Sequence, residues 1–167
     1  WRAVITIGDG IPSGYCINAN AHALARYARL VQEAGMVPIV EPEVLMDGSH
    51  SIETCQEVTE NTLHTVFNAL VGQGVALEGM ILKPNMVISA MDCSTQASVE
   101  QVAEWTVQTL KRRVPAAVPG IAFLSGGQSE LLASQHLNAM NQLGDLPWTL
   151  SFSYGRALQH SALHTWA

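Results

Sequence analysis

Short apolar runs of strand length alternate along the chain with longer segments in which apolar residues recur at helical spacing. The predicted strands are Ala3–Ile7, Val37–Val40, Met80–Leu82, Ile121–Leu124 and Trp148–Ser153. The predicted helices are Asn18–Ala34, Ile52–Val71, Ser98–Val114, Ser129–Leu143 and Arg156–Trp166. Because each strand is continuously apolar and is followed by an amphipathic helix, the pattern predicts parallel βα units.

The residues at the ends of the predicted strands distinguish two architectures, a doubly wound open sheet and a (β/α)8 barrel. A doubly wound sheet would carry a glycine-rich signature after its first strand, but Gly8-Asp9-Gly10 is not GxGxxG. Polar or charged residues instead follow nearly every later strand, which is typical of a barrel. Since a barrel needs eight strands and about 250 residues, the sequence predicts a single partial TIM-barrel domain over residues 1–167. About three βα units then lie outside the chain.

The composition favours a globular protein with much of its surface covered. The chain has 167 residues, of which 48% are apolar and 13% charged, and its net charge is −6. The basic run Lys111–Arg113 ends a predicted helix, so nucleic acid is not an expected partner. No apolar run approaches the ~18 residues of a membrane span. Cys16, Cys55 and Cys93 lie far apart, as expected of free thiols in a reducing compartment.

Lys83 ends the third predicted strand and is followed at once by Pro84. An ammonium group at the end of an apolar strand is costly unless it is paired or deprotonated, and a neutral lysine is a nucleophile that can form a Schiff base. Glu41 and Glu43 follow the preceding strand and could move the protons that this chemistry requires. Two alternatives stay open: a lysine that reaches water along its own stem, or an unreactive Lys–Glu pair. Pro42 argues against a regular strand between the glutamates, so their side chains need not alternate.

Two glycine-containing loops follow the last two predicted strands, each before a helix. They contain Ser125-Gly126-Gly127 and Ser153-Tyr154-Gly155-Arg156. Glycines allow backbone N–H groups to approach an anion, serines add donors, and Arg156 can bind phosphate bidentately. Together the loops indicate a phosphate site, although each alone is compatible with an ordinary turn.

The histidines give weaker signals. His160 and His164 stand four residues apart on a predicted helix, but the sequence shows no third ligand for a metal. The remaining histidines, among them His50 and His136, are scattered and indicate no metal site.

Four strings, in the expected order, resemble class I fructose-bisphosphate aldolases. They are Val37–Glu43, Leu82–Val87, Phe123–Glu130 and Phe152–Leu158. The resemblance implies a (β/α)8 barrel in which Lys83 matches the Schiff-base lysine, Glu41 the general acid/base, and Glu43 the carboxylate that supports it. Residues that match substrate phosphate positions are Ser125, Gly126, Ser153, Gly155, Arg156 and, less closely, Arg2.

The resemblance also implies an activity, the reversible cleavage of fructose 1,6-bisphosphate to dihydroxyacetone phosphate and glyceraldehyde 3-phosphate. No metal or cofactor is expected, because the iminium is the electron sink. By the same resemblance the chain holds the fourth to eighth barrel strands, and the first three βα units and the C-terminal tail lie outside it. The alternative function is a non-catalytic fragment that binds sugar phosphates or acts as a structural or interaction module.

The expected partners follow from the same resemblance. They are a sugar-phosphate substrate and either further copies of the chain, in a tetramer as is common in the family, or a complementing N-terminal segment. No membrane or nucleic-acid partner is expected. The expected location is the cytoplasm, with a plastid left open. The sequence does not separate fructose 1,6-bisphosphate from fructose 1-phosphate as the preferred substrate.

Overall fold

Strands and helices alternate throughout the computed structural model, which describes residues 1–167. The strands are β1 (Arg2–Ile5), β2 (Ile39–Val44), β3 (Ile81–Leu82), β4 (Gly120–Phe123) and β5 (Thr149–Phe152). The helices are α1 (Gly14–Glu33), α2 (Ile52–Gly72), α3 (Val99–Arg113), α4 (Glu130–Asn141) and α5 (Arg156–Trp166), with a 3₁₀ turn at Leu77–Gly79. The alternation predicted from the hydrophobic pattern is therefore confirmed, with shifts of a few residues at most boundaries. No helix has the length and apolar character needed to cross a bilayer.

The five strands form one parallel sheet whose spatial order, β1-β2-β3-β4-β5, is the order of the chain. A right-handed crossover between parallel neighbours places its helix on a fixed face of the sheet. A doubly wound sheet reverses its strand order and so carries helices on both faces. Because this order never reverses, the helices lie on one face, and each contacts the next along the chain. The opposite face, called the inner face below, carries no helix.

The hydrophobic core lies between the sheet and the helices. Each strand contributes alternate side chains to this layer, and one from each strand is Ala3, Val40, Leu82, Ile121 and Leu150. The helices contribute residues that are almost wholly buried, such as Leu24, Leu63, Leu110 and Met140. This alternation fixes the inner face as well, because residues two apart along a strand point the same way.

Serine N-caps determine where four of the helices begin. Ser13, Ser51, Ser98 and Ser129 each accept a hydrogen bond from the backbone N–H three residues later. Such a cap contributes about 1 kcal/mol to helix stability. The cap at Ser13 starts α1 at Gly14, four residues before the start predicted from apolar spacing. At the other end of α1, Gly35 has φ +74° and closes the helix as predicted.

The expectation that Pro42 prevents a regular strand between Glu41 and Glu43 was wrong, because β2 runs through it. The N–H groups of Glu41 and Leu45 donate to carbonyls on the β1 side. Since N–H directions alternate along a strand, the nitrogen of Pro42 points towards β3. The short strand β3 has already ended at that level, so the proline removes no ladder hydrogen bond. Glu41 and Glu43 therefore lie in one regular strand and share the inner face.

A charged cluster joins α2 to α3 on the outer surface. Both oxygens of Glu60 are used: Oε1 accepts from Arg112 Nη1 at 2.8 Å, and Oε2 accepts from Arg113 Nη2 at 2.9 Å. Burial alone would raise the pKa of Glu60, but hydrogen bonds and charge from the two arginines together hold that pKa below its usual value. The ionised carboxylate is thus the form that the fold favours.

We expect the Glu60→Gln variant to lose about 1 kcal/mol of unfolding free energy at neutral pH, a modest loss because both guanidinium groups reach solvent. The folded-state pKa of Glu60 is lowered, so its contribution is present above the normal glutamate range and lost as pH falls through the folded pKa. Urea denaturation of variant and parent at neutral and acidic pH measures this. Glu57→Gln, at an exposed position of α2 without an ion pair, is the matched control. A deficit in Glu60→Gln that does not shrink with acidity would contradict the assignment.

Candidate active site

Strand register gathers four charged residues on the inner face. Arg2 pairs with Glu41 between β1 and β2, and Glu43 lies two residues further along β2. Lys83 follows Leu82 directly and continues the alternation of β3, so it lies on the same face as Ile81. Its own N–H donates to the carbonyl of Val40 at 2.8 Å, which extends the pairing between the strands by one step. The sequence predicted Glu41, Glu43 and Lys83 on neighbouring strands, and β2 and β3 are neighbours. Arg2, which begins β1, joins them from the other side of β2.

Lys83 and Glu41 form an ion pair, with Nζ 3.2 Å from Oε1. The two side chains are only 19% and 14% exposed, so neither group reaches water freely. An amine held against a carboxylate in a poorly solvated position is suited to proton transfer at a fixed site. The arrangement can therefore support carbonyl addition by the lysine, with the carboxylate as its acid/base partner.

Glu43 is less exposed to solvent than Glu41. Its side chain is 7% exposed, and its Oε2 lies 3.3 Å from Nη1 of Arg2 without the geometry of a hydrogen bond. Burial raises the pKa of Glu43; the Arg2 charge opposes this and the nearby Glu41 charge adds to it. The two glutamates of β2 thus differ in environment: Glu41 is paired with Lys83, and burial raises the pKa of Glu43. Such divergence is common where two carboxyl groups take different roles in one site.

The loop between β4 and α4 forms a tight turn across two glycines. The Gln128 N–H donates to the Ser125 carbonyl at 3.0 Å, and Gly126 and Gly127 between them have φ of +63° and +104°. These positive φ values would strain any residue with a Cβ. The conformation therefore depends on both glycines, whose N–H groups are available at the start of α4.

Arg156 connects this turn to the loop after β5. It opens α5 directly after Gly155, and its Nη2 lies 3.9 Å from the position that a Cβ on Gly127 would occupy. A cleft of about 540 Å³ between the two loops is lined by Gly127, Ser129, Arg156 and His160, among others. The Arg156 charge also lowers the pKa of Glu43 to a small extent. The predicted phosphate loops and the Lys83 cluster are thus electrostatically linked.

Tyr154, within the β5–α5 loop, ties that loop to α4. Its hydroxyl donates to the carbonyl of Ala133 at 2.9 Å, and burial raises its pKa to about 12. The hydroxyl therefore keeps its proton, and this donor, at any physiological pH. Ser153, just before it, continues the strand pairing through its N–H to Phe123 at 2.8 Å. Both contacts fix the direction in which the loop leaves the sheet.

Asn85 is a residue of the site region to which sequence reasoning assigned no role. Its Oδ1 accepts the N–H of Val44 at 3.0 Å, and its Nδ2 donates to Thr59 Oγ1 at 3.1 Å and to the Met86 carbonyl at 3.0 Å. The side-chain amide of Asn85 therefore takes the place of backbone hydrogen bonds between β2 and β3 beyond the end of β3. It joins the segment after Lys83 to the end of β2. One signal in the sequence could have indicated it: Asn85 is a polar residue that directly follows Pro84 at the end of an apolar strand.

Comparisons with known proteins place the chain in a family. The family model described as fructose-bisphosphate aldolase class-I matches residues 1–167. This chain belongs to the class I fructose-bisphosphate aldolase family. A probable fructose-bisphosphate aldolase class 1 of Xanthomonas axonopodis pv. citri is 66% identical over 167 residues, which are 100% of this chain and 50% of that protein. The cytosolic fructose-bisphosphate aldolase 5 of Arabidopsis thaliana is 58% identical, over 100% of this chain and 47% of its own length.

A solved structure gives the same result for the fold. It is the fructose-bisphosphate aldolase of Plasmodium falciparum, in complex with TRAP and a small-molecule inhibitor, with a TM-score of 0.97 and 52% sequence identity. The match covers 99% of this chain and 48% of that one. The prediction of a partial aldolase barrel is confirmed: the five βα units correspond to about half of the family's fold. The chain spans about half the length of the curated relatives it matches.

Proposed function

We propose that this chain supplies the Schiff-base lysine and the phosphate loops of a fructose-bisphosphate aldolase. The reaction is the reversible cleavage of fructose 1,6-bisphosphate to dihydroxyacetone phosphate and glyceraldehyde 3-phosphate. One observation carries the proposal: Lys83 Nζ lies 3.2 Å from Glu41 Oε1 in a poorly solvated position on the inner face. Membership of the class I family supports the same chemistry.

The proposed steps use the residues of this cluster. Neutral Lys83 adds to the ketone carbon of the sugar phosphate, and loss of water gives an iminium. When the bond between the third and fourth carbons breaks, its electron pair forms the double bond of an enamine between the second and third carbons, and the π pair of the iminium moves to nitrogen. The fourth carbon leaves as an aldehyde, because its hydroxyl gives up a proton. Protonation of the enamine at the third carbon and hydrolysis of the resulting iminium then release dihydroxyacetone phosphate and regenerate Lys83. Glu41 exchanges the protons, because its carboxylate already contacts Nζ. Glu43 supports Glu41 as a buried neighbour with a raised pKa.

The substrate phosphates bind, in this proposal, at the loops after β4 and β5. Gly126 and Gly127 lie in the loop just before α4, and Arg156 adds a guanidinium near Gly127. A planar guanidinium and converging N–H groups suit a phosphate dianion. The full proposed set is Ser125, Gly126, Gly127, Ser153, Gly155 and Arg156, with Arg2 nearer to the carboxylates.

We also propose that residues 1–167 form a single part of a larger barrel, whose remaining strands pair with the free edges of β1 and β5. Unpaired edges of a parallel sheet are sites for further strand pairing. A homo-oligomer, a tetramer in the family's usual form, belongs to the same proposal. A cytosolic location is supported by the names of the Arabidopsis thaliana relatives, which are described as cytosolic. Intact-mass measurement of the native protein tests the larger barrel, since a mass of 18.0 kDa would contradict it.

Borohydride reduction in the presence of dihydroxyacetone phosphate tests the function. Reduction converts the iminium into a stable secondary amine, so one substrate-derived mass should appear on the peptide that contains Lys83. The measurement is peptide mapping by mass spectrometry, with a sample reduced without the sugar phosphate as its control. A folded sample that gains no mass on that peptide would refute the Schiff-base role.

A further inference from the structure

A buried chain of hydrogen bonds extends from the middle of α4 to the glycine turn. His136 Nδ1 lies 2.6 Å from Gln128 Oε1, and Gln128 Nε2 donates to the Ser125 carbonyl at 3.0 Å and to Met86 Sδ at 3.6 Å. His136, Gln128 and Ser125 are 3%, 7% and 6% exposed. The backbone N–H of Gln128 donates to the same Ser125 carbonyl at 3.0 Å. One residue therefore closes the turn twice, through its backbone and through its side chain.

The partners of Gln128 determine its orientation and the tautomer of His136. Ser125 offers a carbonyl, which only accepts, so the nitrogen of the Gln128 amide must face it. The amide oxygen then faces His136, and Nδ1 of that histidine must carry a hydrogen to donate. Burial lowers the pKa of His136, which favours the neutral ring. Both hydrogens of the Gln128 amide and its oxygen are thus used, and the side chain has one arrangement.

We propose that His136 is a positioning residue for the phosphate loop: through Gln128 it fixes the Ser125 carbonyl, and with it the turn that presents the Gly126 and Gly127 N–H groups to an anion. The inference rests on the proposed phosphate binding. A two-glycine turn has many accessible conformations, because glycine populates positive and negative φ about equally. The buried hydrogen bonds from His136 through Gln128 to the Ser125 carbonyl, called the brace below, remove this freedom before the anion binds. Preorganisation of this kind increases affinity.

The side-chain geometry of His136 suggests a matched pair of variants. In asparagine, Nδ2 is two bonds from Cβ, as Nδ1 is in histidine, so His136→Asn keeps a donor close to the same point. His136→Leu keeps a branched side chain of similar bulk and has no donor. Gln128→Glu gives a second test at the other end of the brace, since it retains an acceptor for His136 and loses the donor to Ser125.

Titration with inorganic phosphate, followed through the Gly126 and Gly127 amide signals in ¹H–¹⁵N spectra, measures the effect. We expect His136→Leu and Gln128→Glu to weaken phosphate binding about tenfold, and His136→Asn to stay within about twofold of the parent. Unchanged affinity in His136→Leu, or an equal loss in the Asn and Leu variants, would overturn the proposal. A general loss of packing would affect both His136 variants alike, whereas the proposed donor distinguishes them.

Amide exchange of the Gln128 N–H separates this inference from the proposed function. That N–H closes the turn and should lose protection in His136→Leu but keep it in His136→Asn. If the parent chain binds no phosphate, the proposed phosphate site fails, and the exchange pattern still decides whether the brace exists. Equal protection in the parent and in His136→Leu overturns the brace, whatever the phosphate result.

Discussion

The Lys83→Arg variant should form no borohydride-trapped adduct with dihydroxyacetone phosphate. A guanidinium stays protonated at all accessible pH values and cannot add to a ketone as a neutral amine does. In the parent chain, Lys83 Nζ lies 3.2 Å from Glu41 Oε1. The arginine can form an ion pair with the same carboxylate, so the variant should still fold. The expected loss is complete, from one substrate mass per chain to none. Mass spectrometry of the reduced protein, with circular dichroism to verify folding, measures it.

The matched control for this experiment is Lys111→Arg. Lys111 is the other lysine of the chain, and it is exposed at the C-terminal end of α3. Its replacement should leave trapping at the parent level, because this amine lies in solvent on a helix, away from the inner face and its carboxylates. An adduct that survives in Lys83→Arg and moves to Lys111 or to the amino group of Trp1 would show that trapping is unselective.

The Phe123→Ala variant should lose about 3–5 kcal/mol of unfolding free energy. Phe123 is 0% exposed at the end of β4, within the core that supports the turn beginning at Ser125. Removing the ring leaves a cavity that the surrounding strands and helices can only partly fill. Because a domain of this kind is stable by only about 5–15 kcal/mol, a large share of that stability is lost. The shift of the urea denaturation midpoint measures the effect.

A second phenylalanine provides the control for Phe123. Phe152 occupies the same level of the neighbouring strand β5 but is 50% exposed, and its ring packs on Tyr154 with centroids 5.2 Å apart. Phe152→Ala should cost about 1 kcal/mol, since much of its area is already in solvent. Similar losses in the two variants would mean that the layer around Phe123 is not closely packed.

Hydrophobic spacing predicted the element types well because it reports which side of each strand and helix is buried. Pro42 marks its limit. The sequence shows that a proline cannot donate to a ladder, but it does not show on which side the neighbouring strand has already ended. That information depends on the two-residue length of β3, which ends just before Lys83-Pro84. The rule that proline cannot donate a ladder hydrogen bond holds here, but its effect depends on where the neighbouring strand ends in three dimensions.

The candidate site divides in the same way. Lys83 and Glu41 were predicted to meet because residues at the ends of adjacent parallel strands share one edge of the sheet. His136 was set aside as an isolated histidine, since its partner Gln128 lies in a loop and the contact requires the loop to fold back on α4. Asn85 was overlooked for a related reason: its three hydrogen bonds reach β2, α2 and the backbone next to it. Residues that support a site through packing leave little periodic signal.

The strand order of the sheet bears on how the chain is made. Every strand pairs only with strands that precede or follow it directly along the chain. On the ribosome, each strand from β2 to β5 therefore finds one partner already present on its N-terminal side, and within these five strands none waits for a partner synthesised much later. Domains that depend on distant pairings leave apolar surface exposed during synthesis. This topology allows the growing polypeptide to bury each helix as it appears.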